Sequence, residues 1–168
     1  MTCRSPDGAW SVTYTPSPGT LWVKRPGSGA VRAYRSRDSC CTYITWAEPH
    51  TLLFDDDYRL MRLDPVTRRH AMIANWSDFV VSPDGRWIAG WDFTPPEEAG
   101  TVGVLSVDGK TCLVVPHNAR LSDEAAGFTQ DSKNVIVVRW PFVPNNGTTG
   151  SSQLVQYPIS ALPASKHC

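Results

Sequence analysis

No apolar run in this sequence approaches the roughly 18–20 residues of a membrane-crossing helix, so no membrane span is expected. The opening stretch "MTCRSPDGAW" has no apolar signal-peptide core, and as written the chain reads as cytoplasmic. Neither sign of charge dominates: 16 Lys+Arg stand against 16 Asp+Glu, which gives no overall pull toward nucleic acid. The five cysteines (Cys3, Cys40, Cys41, Cys112, Cys168) contain no Cys-x-x-Cys pair, so zinc is not expected and they read as ordinary reduced thiols. The histidines, His50, His70, His117 and His167, are scattered and share no metal-ligand spacing. A Gly-x-Ser-x-Gly elbow is missing, and "RPGSGA" lacks the lysine of a phosphate loop. The expectation is a non-enzyme without a cofactor. Helical patterning is scarce as well, because 14 prolines and 12 glycines interrupt the chain too often.

What is present is a repeat. With 41% apolar and 19% charged residues, the chain is globular, and 168 residues are one domain's worth of protein. "SPDGAW" at Ser5 returns as "SPDGRW" at Ser82, and degenerate copies open at Ala47 ("AEPHTLLF") and Thr129 ("TQDSKNVIVV"). Each is followed by an apolar β-rich run, then a second short run such as Leu21-Trp22-Val23 or Val102–Leu105. Turns at "PGSG", "DPVT" and "VDGK" then lead to a last run. Four short strands roughly every 40 residues are the arithmetic of a β-propeller blade. The expected fold is all-β, about four blades of four antiparallel strands, in one domain over 1–168 with approximate repeats 1–38, 39–74, 75–116 and 117–168.

The opening turn has a physical reading. Pro6 and Pro83 pre-set φ, Asp7 and Asp84 suit the next position, and Gly8 and Gly85 take the left-handed one. Ser5 and Ser82 bond back to the turn, and Trp10 and Trp87 start the next strand. In the fourth copy Asp131 is kept and Ser132 stands where glycine is expected. These residues are read as structural; Gly85→Val and Trp87→Ala are expected to destabilise the fold.

"SPDG-x-W" followed by "LWV" and a "DG" or "DPxT" turn resembles the TolB-type propeller repeat, which also occurs in propeller domains of prolyl oligopeptidase-type enzymes. The resemblance covers nearly the whole chain. It implies a propeller, leans toward the bacterial periplasm or envelope, and leaves function open. The first unit begins at its turn and the last shows no fourth strand in "ALPASKHC", so about three and a half blades are expected. A portion of a longer propeller, a ring completed by self-association, and a small or open form all fit that count.

Candidate sites are few. "FDDDYRL" places Asp55, Asp56 and Asp57 in a row, without the alternate spacing, glycine and distal glutamate of a calcium loop, and reads as a solvated hairpin. "DFTPPEEAGT", with Glu97 and Glu98, and "PFVPNNGTTGSS", with Asn145 and Asn146, join the second and third strands of their units, as the Asp run does. These loops form the expected binding rim. Arg32, Arg35 and "TRRH" read as exposed outer-strand charge, without the aromatic pattern of nucleic-acid contact. The expected function is a non-catalytic module that binds a protein or peptide; the alternative is the propeller portion of a peptidase-type protein whose catalytic part lies elsewhere.

Overall fold

Alternation of apolar and polar residues drives strand pairing in this chain. The computed structural model describes residues 2–17, 19–36, 40–47, 50–92, 100–143 and 147–166. In β3 (Thr20–Lys24), Leu21 and Val23 are buried while Trp22 and Lys24 face out, the two-residue period of a strand with one face on a core. It joins β1 (Thr2–Arg4), β2 (Ser11–Thr15) and β4 (Val31–Arg35) in an antiparallel meander of order β1-β2-β3-β4. The same order recurs in β5 (Cys40–Ala47), β6 (Thr51–Asp56), β7 (Leu60–Leu63) and β8 (His70–Ala74). It recurs again in β9 (Trp76–Val81), β10 (Trp87–Asp92), β11 (Val102–Ser106) and β12 (Cys112–Val114). In the fourth sheet β14 (Asn134–Val143) lies between β13 (Leu121–Phe128) and β16 (Gln153–Pro158), and the two-residue β15 (Gly147–Thr148) folds back on its far end. Among the described residues the fold is all-β: four sheets of four antiparallel strands, with one 3-10 turn at Ile159–Ala161. Among the described residues no helix is long and apolar enough to cross a membrane.

Two compact units result, Met1–Ala74 and Asn75–Cys168. Within the first, Val12, Leu21 and Val23 of one sheet pack against Trp46, Leu52 and Phe54 of the other. Within the second, Ala89, Val102 and Val104 pack against Ala125, Val135 and Val137. Each unit is a pair of sheets sharing one apolar layer.

The N-terminal end departs from expectation. A first strand does precede the Ser5 turn: Thr2, Cys3 and Arg4 pair with Thr13, Val12 and Ser11. Three residues are too short to show a period. At the other end, among the described residues, the fourth sheet gains no outer strand from the C-terminal segment, which lies along β12 instead. Ala164 bridges Leu113, Val114 N–H donates to Pro163 O at 3.0 Å, and Ser165 N–H donates to Cys112 O at 2.8 Å. Cys112 is disulfide-bonded, which corrects the expectation of reduced thiols; spacing in sequence says nothing about which cysteines meet in space. Cys3 is free and half-buried.

One turn device is used four times. Ser5 Oγ donates to Asp7 Oδ1 at 2.7 Å and accepts from Trp10 N–H at 2.9 Å, while Asp7 Oδ1 accepts from Ala9 N–H. Ser82 with Asp84, Ser106 with Asp108 and Thr129 with Asp131 repeat each bond at the same spacing. The residue after each Asp is left-handed: Gly8, Gly85, Gly109 and, against expectation for a non-glycine, Ser132 at φ 58°. The "SVDGKT" copy, read from sequence only as a turn, is thus the same device. Ser132 earns its strained position: its Oγ, buried, accepts from Asp84 N–H at 3.0 Å and ties the turns of two sheets together.

Candidate functional site

The Asp55–Asp57 run does not form a solvated loop. Asp55 and Asp56 end β6 and are buried, at 8% and 4% exposure, and only Asp57 reaches solvent. The sequence expectation fails because three consecutive carboxylates look like a surface run, and their partners lie far away in the chain. Asp56 Oδ2 accepts from the Tyr34 hydroxyl at 2.5 Å, and Oδ1 from the Ser36 hydroxyl at 2.6 Å. Arg59 reaches the same carboxylate at 3.5 Å and the Asp56 carbonyl at 3.0 Å. Burial, then the bond to Asp56, pushes the Tyr34 hydroxyl well above the usual tyrosine range, so it stays a donor. Asp55 answers a different need. The β5–β6 register slips between Cys40 and Ile44, and the Tyr43 amide in that bulge donates to Asp55 Oδ1 at 2.6 Å.

This buried polar base supports a strained hairpin. Asp56 and Arg59 exchange both backbone hydrogen bonds, at 2.9 and 3.2 Å, around a two-residue turn. Its central residues, Asp57 and Tyr58, both have positive φ, 52° and 60°. Such turns favour Asn-Gly, and a bulky aromatic in the left-handed region is an outlier. Tyr58 is 55% exposed, and Tyr43, in the bulge at the same end of the sheet, is 43% exposed. Two tyrosines are therefore presented from a base that cannot easily yield. Neither was singled out in the sequence; the signal was the absence of glycine from a turn two residues long.

In the second unit the corresponding end is also braced. Arg139 grips the buried Asp123 through two bonds, at 2.7 and 2.6 Å, and also donates to Pro116 O. Asp123 N–H donates to Gly100 O and Gly100 N–H to Ser122 Oγ, which anchors the chain as it enters β11. Glu97, Glu98, Asn145 and Asn146 lie outside the described residues, as does the "EP" of the Ala47 turn. The turn residues Ser5, Pro6, Asp7, Gly8, Trp10, Ser82, Pro83, Asp84, Gly85 and Asp131 sit at the other end of their strands. Trp10 is buried and Trp87 only half-buried. Arg32 and Arg35 are exposed on β4. Among the described residues no three His, Cys, Asp or Glu side chains converge as a metal would require.

No protein-family model and no curated protein matches this sequence. Solved structures match almost all of it. A prolyl endopeptidase aligns at 18% identity and TM-score 0.63, over 98% of this chain and 26% of its own. TolB from Acinetobacter baumannii aligns at 17% and 0.56, over 97% and 39%. The β-propeller domain of the Trilobed protease from Pyrococcus furiosus aligns at 11% and 0.61, over 98% and 55%. The chain spans less than two thirds of each. With four-stranded meanders in series, the fold is that of a partial β-propeller. Within that class it resembles TolB and the propeller domains of prolyl endopeptidase-type proteins, and identities this low carry the fold alone.

Proposed function

We propose that this chain is a non-catalytic module that binds a protein or peptide through the rim built on the Asp57–Tyr58 hairpin. The observation that carries the reading is strain. Left-handed non-glycine residues cost about 1–3 kcal/mol each, and two adjacent ones hold an exposed tyrosine where Asn-Gly would be relaxed. Tyrosine supplies large, rigid contact area at low entropy cost, which suits a recognition anchor. The nearby ionisable groups support a non-catalytic role, because Asp55 and Asp56 direct their oxygens to Tyr43, Tyr34 and Ser36 inside the fold.

The test separates stability from recognition. Tyr58→Gly relieves the left-handed strain but adds glycine's backbone entropy, for a net gain of up to about 1 kcal/mol. Its melting temperature should hold or rise. Tyr58→Gly with Tyr43→Ala should reduce capture of a specific protein from source-cell extract by about tenfold or more. Capture equal to that of the unaltered chain, or recovery of background alone by both, would refute the reading.

A further inference from the structure

The opposite end of β7 carries a second surface, independent of the Asp57–Tyr58 rim. There the "DPVTRR" hairpin (64–69) stands between two grooves, and Val66, 56% exposed, belongs to both. One groove, of about 370 Å³, has an apolar floor of Trp10, Val23, Val31 and Pro65, flanked by Arg25 and Arg68. The other, of about 720 Å³, brings Arg62, Arg69, His50 and His70 to the far side of the same hairpin. Carboxylates beside these arginine and histidine side chains include Asp64 and Asp7. Asp64 accepts from the Val66 and Thr67 amides and the Thr67 hydroxyl, and also attracts Arg69; Asp7 sits 3.4 Å from His50. Among the described residues neither Arg25 nor Arg68 forms an ion pair. Arg25 lies over the Trp10 ring at 4.4 Å, which fixes its guanidinium at the groove edge.

We propose that this hairpin grips an acidic peptide segment with an apolar anchor. The anchor packs on Val31 and Val66, the exposed apolar residues of the smaller groove, and flanking carboxylates meet Arg25 and Arg68, with Arg69 beyond them. Forked guanidinium groups suit carboxylates, and an apolar floor between like charges selects a segment that carries both features. Nucleic acid fits less well, since Trp10 is buried under Arg25 and offers no open ring for a base to stack on.

The experiment is fluorescence anisotropy on the full chain with a labelled Glu-Glu-Leu-Phe-Glu-Glu peptide. Binding should weaken at least tenfold when glutamine replaces glutamate, and fall as salt rises. Arg25→Gln with Arg68→Gly should also weaken it at least tenfold. Arg68 is left-handed, φ 59°, so glycine there relaxes the backbone and the melting temperature should not drop. Absence of binding, equal binding of the glutamine peptide, or an unchanged double variant each overturns the proposal. So does tighter binding of a single-stranded oligonucleotide of equal charge that the same variant abolishes.

Discussion

At the scale of single residues, two glycines of the second unit, both outside the left-handed region, leave no room for a side chain. Gly90 and Gly103 face each other across β10 and β11, and the Trp76 ring, 1% exposed, lies on both. A Cβ on Gly90 would stand 2.5 Å from the ring, and one on Gly103 also 2.5 Å. Neither contact can be relieved cheaply, since the ring is enclosed. Gly90→Ala and Gly103→Ala should each destabilise the fold by about 1–3 kcal/mol, the usual range for overpacking. Because one ring absorbs both insults, the double variant should cost less than the sum of the singles, and Trp76→Leu should rescue Gly103→Ala more fully than Gly90→Ala, whose Cβ also stands 2.9 Å from the Asp78 carbonyl. Urea unfolding of each variant beside the unaltered chain measures these terms, and full additivity would refute a shared ring. The repeat ruler of the sequence drew attention to Gly85 and Trp87 instead. Gly85 is needed for its left-handed φ of 68°, but Trp87 is half-buried and Trp76 is the tryptophan that fills the interior. Trp76 was illegible because it stands outside the repeated motif, and only the register of three strands reveals what lies beneath it.

At the scale of elements, the four Ser/Thr-x-Asp turns should make stability acid-sensitive. Serine or threonine and backbone donors hold Asp7, Asp131 and Asp108 below the usual carboxylate range, Asp108 at about 2. For Asp84 burial opposes the shift, and bonds from Ser82, Arg86 and Ser132 outweigh it. A carboxyl whose pKa is depressed on folding contributes stability that is present above its unfolded value, 3.8, and lost as pH falls through the folded one. The unfolded chain binds more protons in that window, so melting temperature should be level above about pH 5 and fall between about pH 4 and pH 2. Glu124, pushed up by burial and then by Asp78, shifts the other way and contributes with the opposite sign. Replacing the four aspartates with asparagine should flatten the acid slope in calorimetric melts; an unchanged slope would show that other carboxylates govern it. These turns were the most legible feature of the chain, since Ser, Pro, Asp and Gly act through bonds no more than five residues apart. The candidate site was much less so. Its position at the Asp55–Asp57 turn could be read, but its chemistry depends on Tyr34 and Ser36, 22 and 20 residues from Asp56, and on a bulge that no local pattern announces.

At the scale of the whole molecule, strand number and sheet order follow from a period of roughly 40 residues, whereas strand edges do not. β12 has only three residues, and its outer edge is covered by the segment around Ala164. An exposed edge is a template for pairing with another chain, so this cover adds backbone bonds and should also block association. Removing residues 163–168 deletes the acceptor for Val114 N–H and the donor to Cys112 O, a loss of about 2 kcal/mol at a typical net value near 1 kcal/mol per bond. The truncated chain should melt lower and, in sedimentation velocity, associate as concentration rises. The Cys112 disulfide contributes as well, and Cys112→Ser measures its share with the segment still in the chain. That variant should lose stability yet stay monodisperse, because the segment still lies on the edge. If Cys112→Ser associates as readily as the truncated chain, the disulfide and not the backbone pairing keeps β12 covered. If the truncated chain stays monodisperse at every concentration, the edge is not what the segment protects.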